Sequence, residues 1–306
     1  MAAPGPGASK SGPLLSAVIV HEGNEEKQRR KGLMDRITVE DLTEENVDDL
    51  CRVCVTSCVR DDPDWIRGAA DKKKWATAMF PKWGSFARVA YENGDPAGMI
   101  QYRPVPERQI VSIDCIYVPV QSYWGKGIGS RLLCRLMEDA QKPMSWFDNR
   151  RPLALVTMTF PGGAPEQYTA QGFFTRKGFR QIGDDPDHLY YPLEAGFVYK
   201  PVPKKEVRYI PQDEDKGKVV IISGPDYCPA TYPYFLKRME KYIREIDPAV
   251  PIRWIDSTEE PEAVKKRSVG VGHCIVNARL IKSYVLDKDS FQKEAKAALK
   301  SERPLL

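Results

Sequence analysis

The spacing of apolar residues predicts a mixed set of strands and helices in the first half of the chain. Apolar and polar positions alternate at 37–39, and a helical repeat follows from Thr43 to Cys54. The run 86–102 alternates on both sides of Asn93-Gly94-Asp95-Pro96, which is typical of a β-hairpin. Further strands are predicted at 110–118 and 153–160, with an amphipathic helix at 132–140 between them.

The same pattern predicts a second, smaller group of elements near the C-terminus. In order, they are a strand at 219–222, a helix at 233–246, a strand at 251–255, a hairpin at 274–284 and a helix at 290–299. The order β-α-β-β-α together with the first half indicates an α/β (α+β) protein. No fixed repeat is visible, which argues against solenoids and propellers.

Composition divides the chain into four segments. Residues 1–33 combine Pro, Gly, Ala and Ser with a charged run and predict a disordered tail. Residues 198–218 are rich in proline and charge and predict a linker. The expected domains are therefore 34–197 and 219–301, which agrees with the size of 306 residues.

Charge and cysteine content exclude several classes of protein. The 46 Lys and Arg against 42 Asp and Glu leave a net charge of +4, which provides no large basic field for nucleic acid or an anionic membrane. No apolar run reaches the ~18 residues that span a bilayer. Seven scattered cysteines do not indicate a secreted disulfide framework, and we expect a cytoplasmic protein without a signal peptide.

The most specific motif is a glycine-rich loop between the strand at 110–118 and the following helix. It reads Gln121-Ser122-Tyr123-Trp124-Gly125-Lys126-Gly127-Ile128-Gly129-Ser130. Glycines allow backbone N–H groups to turn towards an anion, and the helix N-terminus adds a partial positive charge. The spacing fits neither a Walker A loop nor the dinucleotide fingerprint.

This segment resembles the acetyl-CoA loop of the GNAT superfamily of N-acetyltransferases. Gly127 and Gly129 match the two family glycines, whereas Trp124 stands where the family has Arg or Gln. The resemblance implies a mixed sheet flanked by helices and acetyl-CoA as co-substrate. It also implies that pyrophosphate is held by Trp124, Gly125, Lys126, Gly127, Ile128, Gly129 and Ser130, and pantetheine by Ile116, Tyr117 and Val118.

A second motif supports the first. The run Ala170 to Phe179 is similar to the fourth helix of the superfamily and its terminal Gly-Phe. The family places a proton-donating Tyr at the position that Phe174 occupies here. Tyr168 is a candidate donor, but it lies six residues earlier on the predicted helix and so does not take the same place; an aromatic packing role is the alternative.

Asp114 is the candidate proton acceptor. Strict alternation along the strand places Val111, Ile113, Cys115 and Tyr117 on one face, and Ser112, Asp114, Ile116 and Val118 on the other. A carboxylate in an apolar strand tends towards a raised pKa and can relay a proton. A hydrogen-bonded, purely structural Asp is the alternative.

Three helical cysteines are candidates for a metal site. Cys51, Cys54 and Cys58 share one face of the predicted helix, but no fourth ligand is near, and buried free cysteine commonly packs in a core. We therefore expect core packing and no metal.

The C-terminal segment resembles a thioredoxin-like domain. Cys228 lies where the redox cysteine would stand, at a helix N-terminus that favours a thiolate, but Thr231 replaces the second cysteine of Cys-x-x-Cys. The arrangement is similar to GNAT proteins with a YoaP-type C-terminal domain. A catalytically silent domain that shapes the acceptor site is the alternative.

These observations predict an acyl-CoA-dependent N-acyltransferase, most simply one that transfers acetyl to an amine by direct attack on the thioester. The acceptor, a small-molecule or peptide amine, is expected near 61–84 with its Trp65, Trp75 and Trp83, although tryptophans of this kind more often pack in a core. Two alternatives stay open: a thiol-redox or thiol-handling protein that works through Cys228, and a CoA-binding protein without transfer activity. The sequence does not decide the oligomeric state.

Overall fold

The computed structural model describes residues 37–159, 169–201 and 206–301. Residues 37–306 form one compact unit. The predicted tail at 1–33 lies outside the described residues. Among the described helices, none is long and apolar enough to cross a membrane.

A large mixed sheet occupies the first part of this unit. Its seven strands lie in the order β1-β2-β3-β4-β5-β7-β6, and every neighbouring pair is antiparallel except β4 and β5. The strands are β1 (Ile37–Asp41), β2 (Ala87–Glu92), β3 (Asp95–Val105), β4 (Ile110–Tyr117), β5 (Ala154–Met158), β6 (Arg180–Ile182) and β7 (Asp185–Pro192). This confirms the predicted hairpin, whose turn places Asn93 and Gly94 at φ 54° and 87°.

In the part of the chain that the structure describes, four α-helices flank the large sheet: α1 (Val47–Cys54), α2 (Pro63–Trp83), α3 (Ile128–Asp139) and α4 (Ala170–Arg176). α2 begins at an Asp-Pro pair, where Asp62 accepts hydrogen bonds from the N–H groups of Asp64 and Trp65. Side chains of α1 and α2 pack on one face of the sheet, and those of α3 and α4 pack on the other. Both faces are therefore covered.

A second sheet of four strands follows, in the order β11-β10-β8-β9. Its elements are β8 (Val219–Ser223), α5 (Lys237–Ile246), β9 (Ile252–Asp256), α6 (Pro261–Arg267), β10 (Cys274–Val276), β11 (Arg279–Leu280) and α7 (Lys288–Lys300). A π-helical turn, Thr231–Leu236, leads into α5. β8 and β9 are parallel, whereas β10 is antiparallel to both of its neighbours.

Helix α6, which lies between β9 and β10, was not predicted from the sequence, and the observed order is β-α-β-α-β-β-α. This helix has only seven residues and begins at Pro261, so it is too short to show a clear helical period. Its last residue, Arg267, is fully buried and donates to Asp215, which is also fully buried, at 2.9 Å. The 198–218 segment therefore contributes one partner, Asp215, of a buried ion pair with α6.

The second sheet is joined to α2 through a tight backbone contact at Gly68. A Cβ atom added at Gly68 would lie 2.0 Å from the carbonyl oxygen of Pro229. Beside this contact, the ring centroids of Trp75 and Tyr227 are 6.2 Å apart, and Arg67 pairs with both Asp71 and Asp256. The turn at Cys228-Pro229 thus lies directly against the α2 face of the large sheet.

Gly68→Ala is expected to destabilise the protein. In an exposed helix this change stabilises by about 1 kcal/mol, but here the new methyl group meets backbone, which we expect to cost about 1–3 kcal/mol. Thermal unfolding measures the effect as a lowered Tm. Gly270→Ala is the control, because nothing lies within 4 Å of its added Cβ. A Gly68→Ala Tm at or above wild type would contradict this packing.

Candidate functional site

The glycine loop has the backbone conformation of an anion cradle. Gly125 and Gly127 have φ values of 75° and 81°, in the left-handed region where glycine is favoured. Gly127 is the N-cap of α3, and no side chain of the described residues caps the helix there. The first N–H groups of α3 therefore remain available to an anion, and the helix dipole favours negative charge at this end.

The two large side chains of the loop are engaged elsewhere. Lys126 Nζ pairs with Glu92 at 2.6 Å, and Trp124 Nε1 donates to the carbonyl oxygen of Val118 at 2.8 Å. The loop thus presents mainly backbone groups to a ligand. The Trp124 contact also fixes the loop to the end of β4.

β4 and β5 diverge beyond their first four residues. Their parallel pairing covers Ile110–Ile113 against Ala154–Thr157 and ends there. Among the described residues, the edge of β4 after Ile113 therefore has no strand partner on the β5 side. Its backbone groups at 114–117 lie between this opening and the glycine loop, where an extended ligand can pair with them as a strand would.

A β-bulge in β4 changes the faces that simple alternation predicts. Gln101 of β3 pairs with Cys115 and the next residue, Tyr102, pairs with Ile113, so Asp114 is the extra residue. Val111 and Ile113 consequently share the α3 face with Ile116 and Val118. The predicted grouping of Cys115 with Val111 and Ile113 was wrong, because Cys115 packs on the α1–α2 face.

Asp114 occupies this bulge in a nearly buried position. Its carboxylate accepts from Arg103 Nε at 3.1 Å and from Ser112 Oγ at 3.3 Å, and its side chain is 10% exposed. Burial raises the pKa of Asp114 to about 6, although the charge of Arg103 lowers it. A carboxylate with this pKa is ionised at neutral pH and accepts a proton more readily than an exposed Asp.

The fourth helix forms as predicted, but it brings no proton donor to the opening among the residues described. Thr169 caps α4 by accepting from Gly172 N at 3.1 Å, and Gly178 follows at φ 90°. Phe174 is buried and its ring contacts those of Phe173 and Phe179. Tyr168, the other candidate donor, lies outside the described residues.

An open groove of about 790 Å³ lies beside the end of β4, on the α1–α2 side. Four of its lining residues belong to the 61–84 segment: Ile66, Ala69, Ala70 and Lys73. Its lining also includes Asp48, Arg52, Arg60, Asp95 and Val120. Trp75 and Trp83 instead pack around Phe86, with ring centroids 5.2 and 6.2 Å away. The groove is thus lined by charges of both signs and not by these tryptophans.

Cys228 lies close to the large sheet and not in an anion-stabilising position. Burial, followed by the neighbouring Cys54, raises the pKa of the Cys228 thiol to about 11. This contradicts the expectation of a thiolate favoured by a helix N-terminus, since removal from water outweighs the hydrogen bond from the Ala230 backbone. All seven cysteines are free thiols, and Cys274 is buried in the core of the second sheet.

Three residues near this region were not predicted from the sequence: Arg103, Lys72 and Tyr227. Arg103 lies beside the bulge because of the register of β3 against β4, and Tyr227 belongs to the segment that follows β8. Lys72 belongs to a run of three lysines that is typical of an exposed helix face, yet it is fully buried. In the described ranges, no group of three or more His, Cys, Asp or Glu is arranged to hold a metal ion.

Residues 54–157 match the sequence profile of the acetyltransferase (GNAT) family. No curated protein matches the chain. Among solved structures, Ard1 from Thermoplasma volcanium is 14% identical, with 52% of this chain and 99% of that chain covered and a TM-score of 0.37. Naa50 from Arabidopsis thaliana, in complex with the bisubstrate analogue CoA-Ac-MVNAL, is 21% identical, with 51% and 95% covered and a TM-score of 0.33.

A third similar structure is PaiA N-acetyltransferase from Thermoplasma acidophilum, in complex with coenzyme A. It is 14% identical, with 50% of this chain and 96% of that chain covered and a TM-score of 0.36. The family match itself covers the α2 helix, the hairpin, the bulged strand and the glycine loop. This part of the chain is therefore similar to the acetyltransferase (GNAT) family, for which acetyl-CoA is the co-substrate.

Proposed function

We propose that this protein transfers acetyl from acetyl-CoA to an amine bound on the α1–α2 side of β4, because residues 54–157 match the acetyltransferase (GNAT) family. The observation that carries the proposal is the alignment of three features along one edge. The uncapped N-terminus of α3, the unpaired backbone of β4 and the carboxylate of Asp114 follow one another from the loop to the bulge.

The backbone of the loop fits a pyrophosphate. The N–H groups at the start of α3 supply donors, Gly125 and Gly127 leave open space above the turn, and Lys126 adds positive charge nearby although it pairs with Glu92. The pantetheine arm would then follow 116–118 as an added strand. Together these contacts direct the thioester towards Asp114.

Asp114 accepts the proton that the attacking amine loses. The amine nitrogen forms a bond to the acetyl carbon, the carbon–sulfur bond breaks, and CoA leaves as a thiolate that takes up a proton from solvent. Arg103 donates to the carboxylate of Asp114 and so positions it. The charged groove provides contacts for an acceptor that carries both a cationic amine and a further polar group.

The test is release of CoA in the presence of amine panels that comprise polyamines, amino acids and short peptides with free N-termini. We expect amine-dependent release together with a product that is heavier by one acetyl group in mass spectrometry. Tight binding of acetyl-CoA with no release above the amine-free rate across the panels would contradict transfer activity and favour a CoA-binding protein.

A second candidate is thiol handling by the second sheet. It is supported by the strand order β11-β10-β8-β9 and by Cys228, which follows β8 as the working cysteine does in a thioredoxin-like domain. The raised pKa of Cys228 is less favourable for this function, because the thiolate is the reactive form.

Cys228→Ser distinguishes the two candidates. Under the acetyl-transfer proposal this change leaves kcat/KM for the acceptor within about twofold, because Cys228 has no part in the proton transfer. Under the thiol-handling alternative it abolishes function. A loss of acetyl transfer greater than tenfold in a folded Cys228→Ser protein would assign the thiol to the reaction.

A further inference from the structure

A cavity of about 470 Å³ lies beside the second sheet and not at the glycine loop. Its walls come from the turn after β8, the π-helical turn that leads into α5, the start of β10 and the segment between β11 and α7. Of the described residues, none that belongs to β4, to the glycine loop or to the groove at α1 and α2 lines it. A cavity of this size is typical of a site for a small molecule, since such sites measure roughly 300–1,000 Å³.

Aromatic side chains form much of the wall of this cavity. Tyr227, Phe235 and Tyr284 line it, and the ring centroids of Phe235 and Tyr284 are 6.2 Å apart. Tyr227 and Tyr284 are 44% and 53% exposed, so both rings are accessible from solvent. The face of an aromatic ring carries a negative electrostatic potential and packs well on apolar chains, which makes this wall suitable for an organic cation.

One negative charge in the cavity has no cation as partner. The charged side chains that line it are Glu206, Lys282 and Asp226. Glu206 and Lys282 pair with each other at 2.5 Å, whereas no ion pair among the described residues includes Asp226. Burial raises the pKa of Asp226, and the neighbouring carboxylate of Asp71 adds to this effect. A partly buried carboxylate without a counter-ion favours a cationic ligand, because charges removed from water are retained mainly when they are paired.

The polar atoms that remain for a ligand are hydrogen-bond acceptors. Asp226 Oδ1 accepts from Cys228 N at 2.9 Å and from Thr231 Oγ1 at 3.1 Å, but Oδ2 accepts from no donor among the described residues. His273 Nδ1 lies 2.9 Å from the carbonyl oxygen of Gly270, so Nδ1 carries the proton and Nε2 of the neutral ring is an acceptor. Nε2 likewise has no partner in the described part of the chain. Two free acceptors match a ligand that brings N–H donors.

We propose that this cavity is a binding site for an organic cation, a primary ammonium or guanidinium group on an apolar chain. Asp226 compensates the charge of the ligand, and His273 accepts a hydrogen bond from one of its N–H groups. The rings of Tyr227 and Tyr284 pack on its chain. Free amines and the Lys or Arg side chains of peptides share this chemistry. The inference does not rest on acetyl transfer, because it is tested by binding alone.

Tyr227 connects the cavity with the surroundings of the β4 bulge. Its ring packs on that of Trp75, with centroids 6.2 Å apart. Burial raises the pKa of Tyr227, and the charges of Asp226 in the cavity and of Asp114 in the bulge raise it further. A cation bound in the cavity would therefore contact a side chain that also borders Asp114, while the acetyl-CoA edge stays free.

The experiment is isothermal titration calorimetry of the full chain in the absence of acetyl-CoA. The probes are n-pentylamine and n-butylguanidine as free cations, the peptide acetyl-Ala-Lys-Ala-amide as a side-chain cation, and n-pentanol as the uncharged analogue of the amine. We expect at least one cation to bind at least about tenfold more tightly than n-pentanol, because a hydrogen bond to a charged group contributes this much. Tighter binding of the peptide assigns the site to a peptide ligand, and tighter binding of a free cation assigns it to a small molecule.

Two variants locate the bound cation. Asp226→Asn removes the charge but keeps the oxygen that accepts from Cys228 N and Thr231 Oγ1, and it should weaken cation binding at least about tenfold. Tyr284→Ala removes an exposed ring and should weaken binding about twofold to fivefold. Asp48→Asn is the matched control, because it neutralises an acid of the groove at α1 and α2 and should leave cation binding unchanged.

Thermal unfolding checks that all three variants are folded. The proposal is overturned if no cation probe binds the wild-type protein, if n-pentylamine and n-pentanol bind equally well, or if cation binding is undiminished in both Asp226→Asn and Tyr284→Ala. Loss of binding in Asp48→Asn alone would place the cation in the groove beside β4 and would also contradict it. Acetyl transfer is measured separately by CoA release, so the two proposals fail independently.

Discussion

Gly127→Glu abolishes acetyl-CoA binding if the loop holds pyrophosphate as proposed. The change puts a side chain at φ 81° and a carboxylate at the N-terminus of α3, where the anion is expected to bind. Repulsion between the new carboxylate and the pyrophosphate, together with the altered backbone at position 127, should weaken the binding of acetyl-CoA at least about 100-fold, the equivalent of about 2.7 kcal/mol. Equilibrium dialysis with labelled acetyl-CoA measures the change in Kd.

Two further variants separate the causes. Gly183→Glu introduces the same charge at φ 57° in the β6–β7 turn, where nothing lies within 4 Å, and should bind as wild type does. Gly127→Asn keeps a residue that tolerates the left-handed region and adds no charge, so its binding should fall between the two. Equal loss in Gly127→Glu and Gly183→Glu would show that the effect is not local to the loop.

Asp114→Asn should lower kcat by about 10²–10⁴ while the Kd of acetyl-CoA stays within about twofold, because the carboxylate acts on the amine and not on the cofactor. The pKa of Asp114, raised to about 6, predicts that the wild-type rate increases as the pH rises through 6. Below this pH the carboxyl group is protonated and accepts no proton. Steady-state kinetics from acid to neutral pH measure both effects.

Arg103→Gln provides the matched control for this profile. Arg103 lowers the pKa of Asp114, so its removal should shift the rising limb to higher pH without abolishing activity at the plateau. If the rising limb of the pH–rate profile does not shift in Arg103→Gln, or if it is still present in Asp114→Asn, the proton transfer belongs to another group.

The local features of the fold were predictable because each depends on the backbone conformation of one or two residues that the sequence shows directly. Asn93 and Gly94 both have positive φ, which this residue pair favours, and the pair therefore predicted the hairpin. Gly125 and Gly127 also have positive φ, and they predicted the loop for the same reason. The fourth helix ends at Arg176, and the φ of 90° at Gly178 just after it explains the Gly-Phe signal. Each of these motifs spans only a few consecutive residues.

The features that were not predicted depend on contacts between segments that are far apart in the sequence. The bulge at Asp114 follows from the register of β3 against β4, and no residue in the alternation marks it. Lys72 is buried because Leu50 and Cys54 of α1 cover it. This burial was not predicted because the neighbouring lysines are typical of an exposed helix face. The contact of Gly68 with Pro229 joins positions over 150 residues apart.

Hydrogen–deuterium exchange of the wild-type protein with and without acetyl-CoA tests the central claim most directly, since it reports both binding and its location. We predict that acetyl-CoA slows exchange at the β4 edge, 114–118, and in the loop and first turn of α3, 124–130, while the second sheet at 219–256 exchanges as before. Unchanged exchange throughout, or protection confined to the Cys228 turn, would contradict the account.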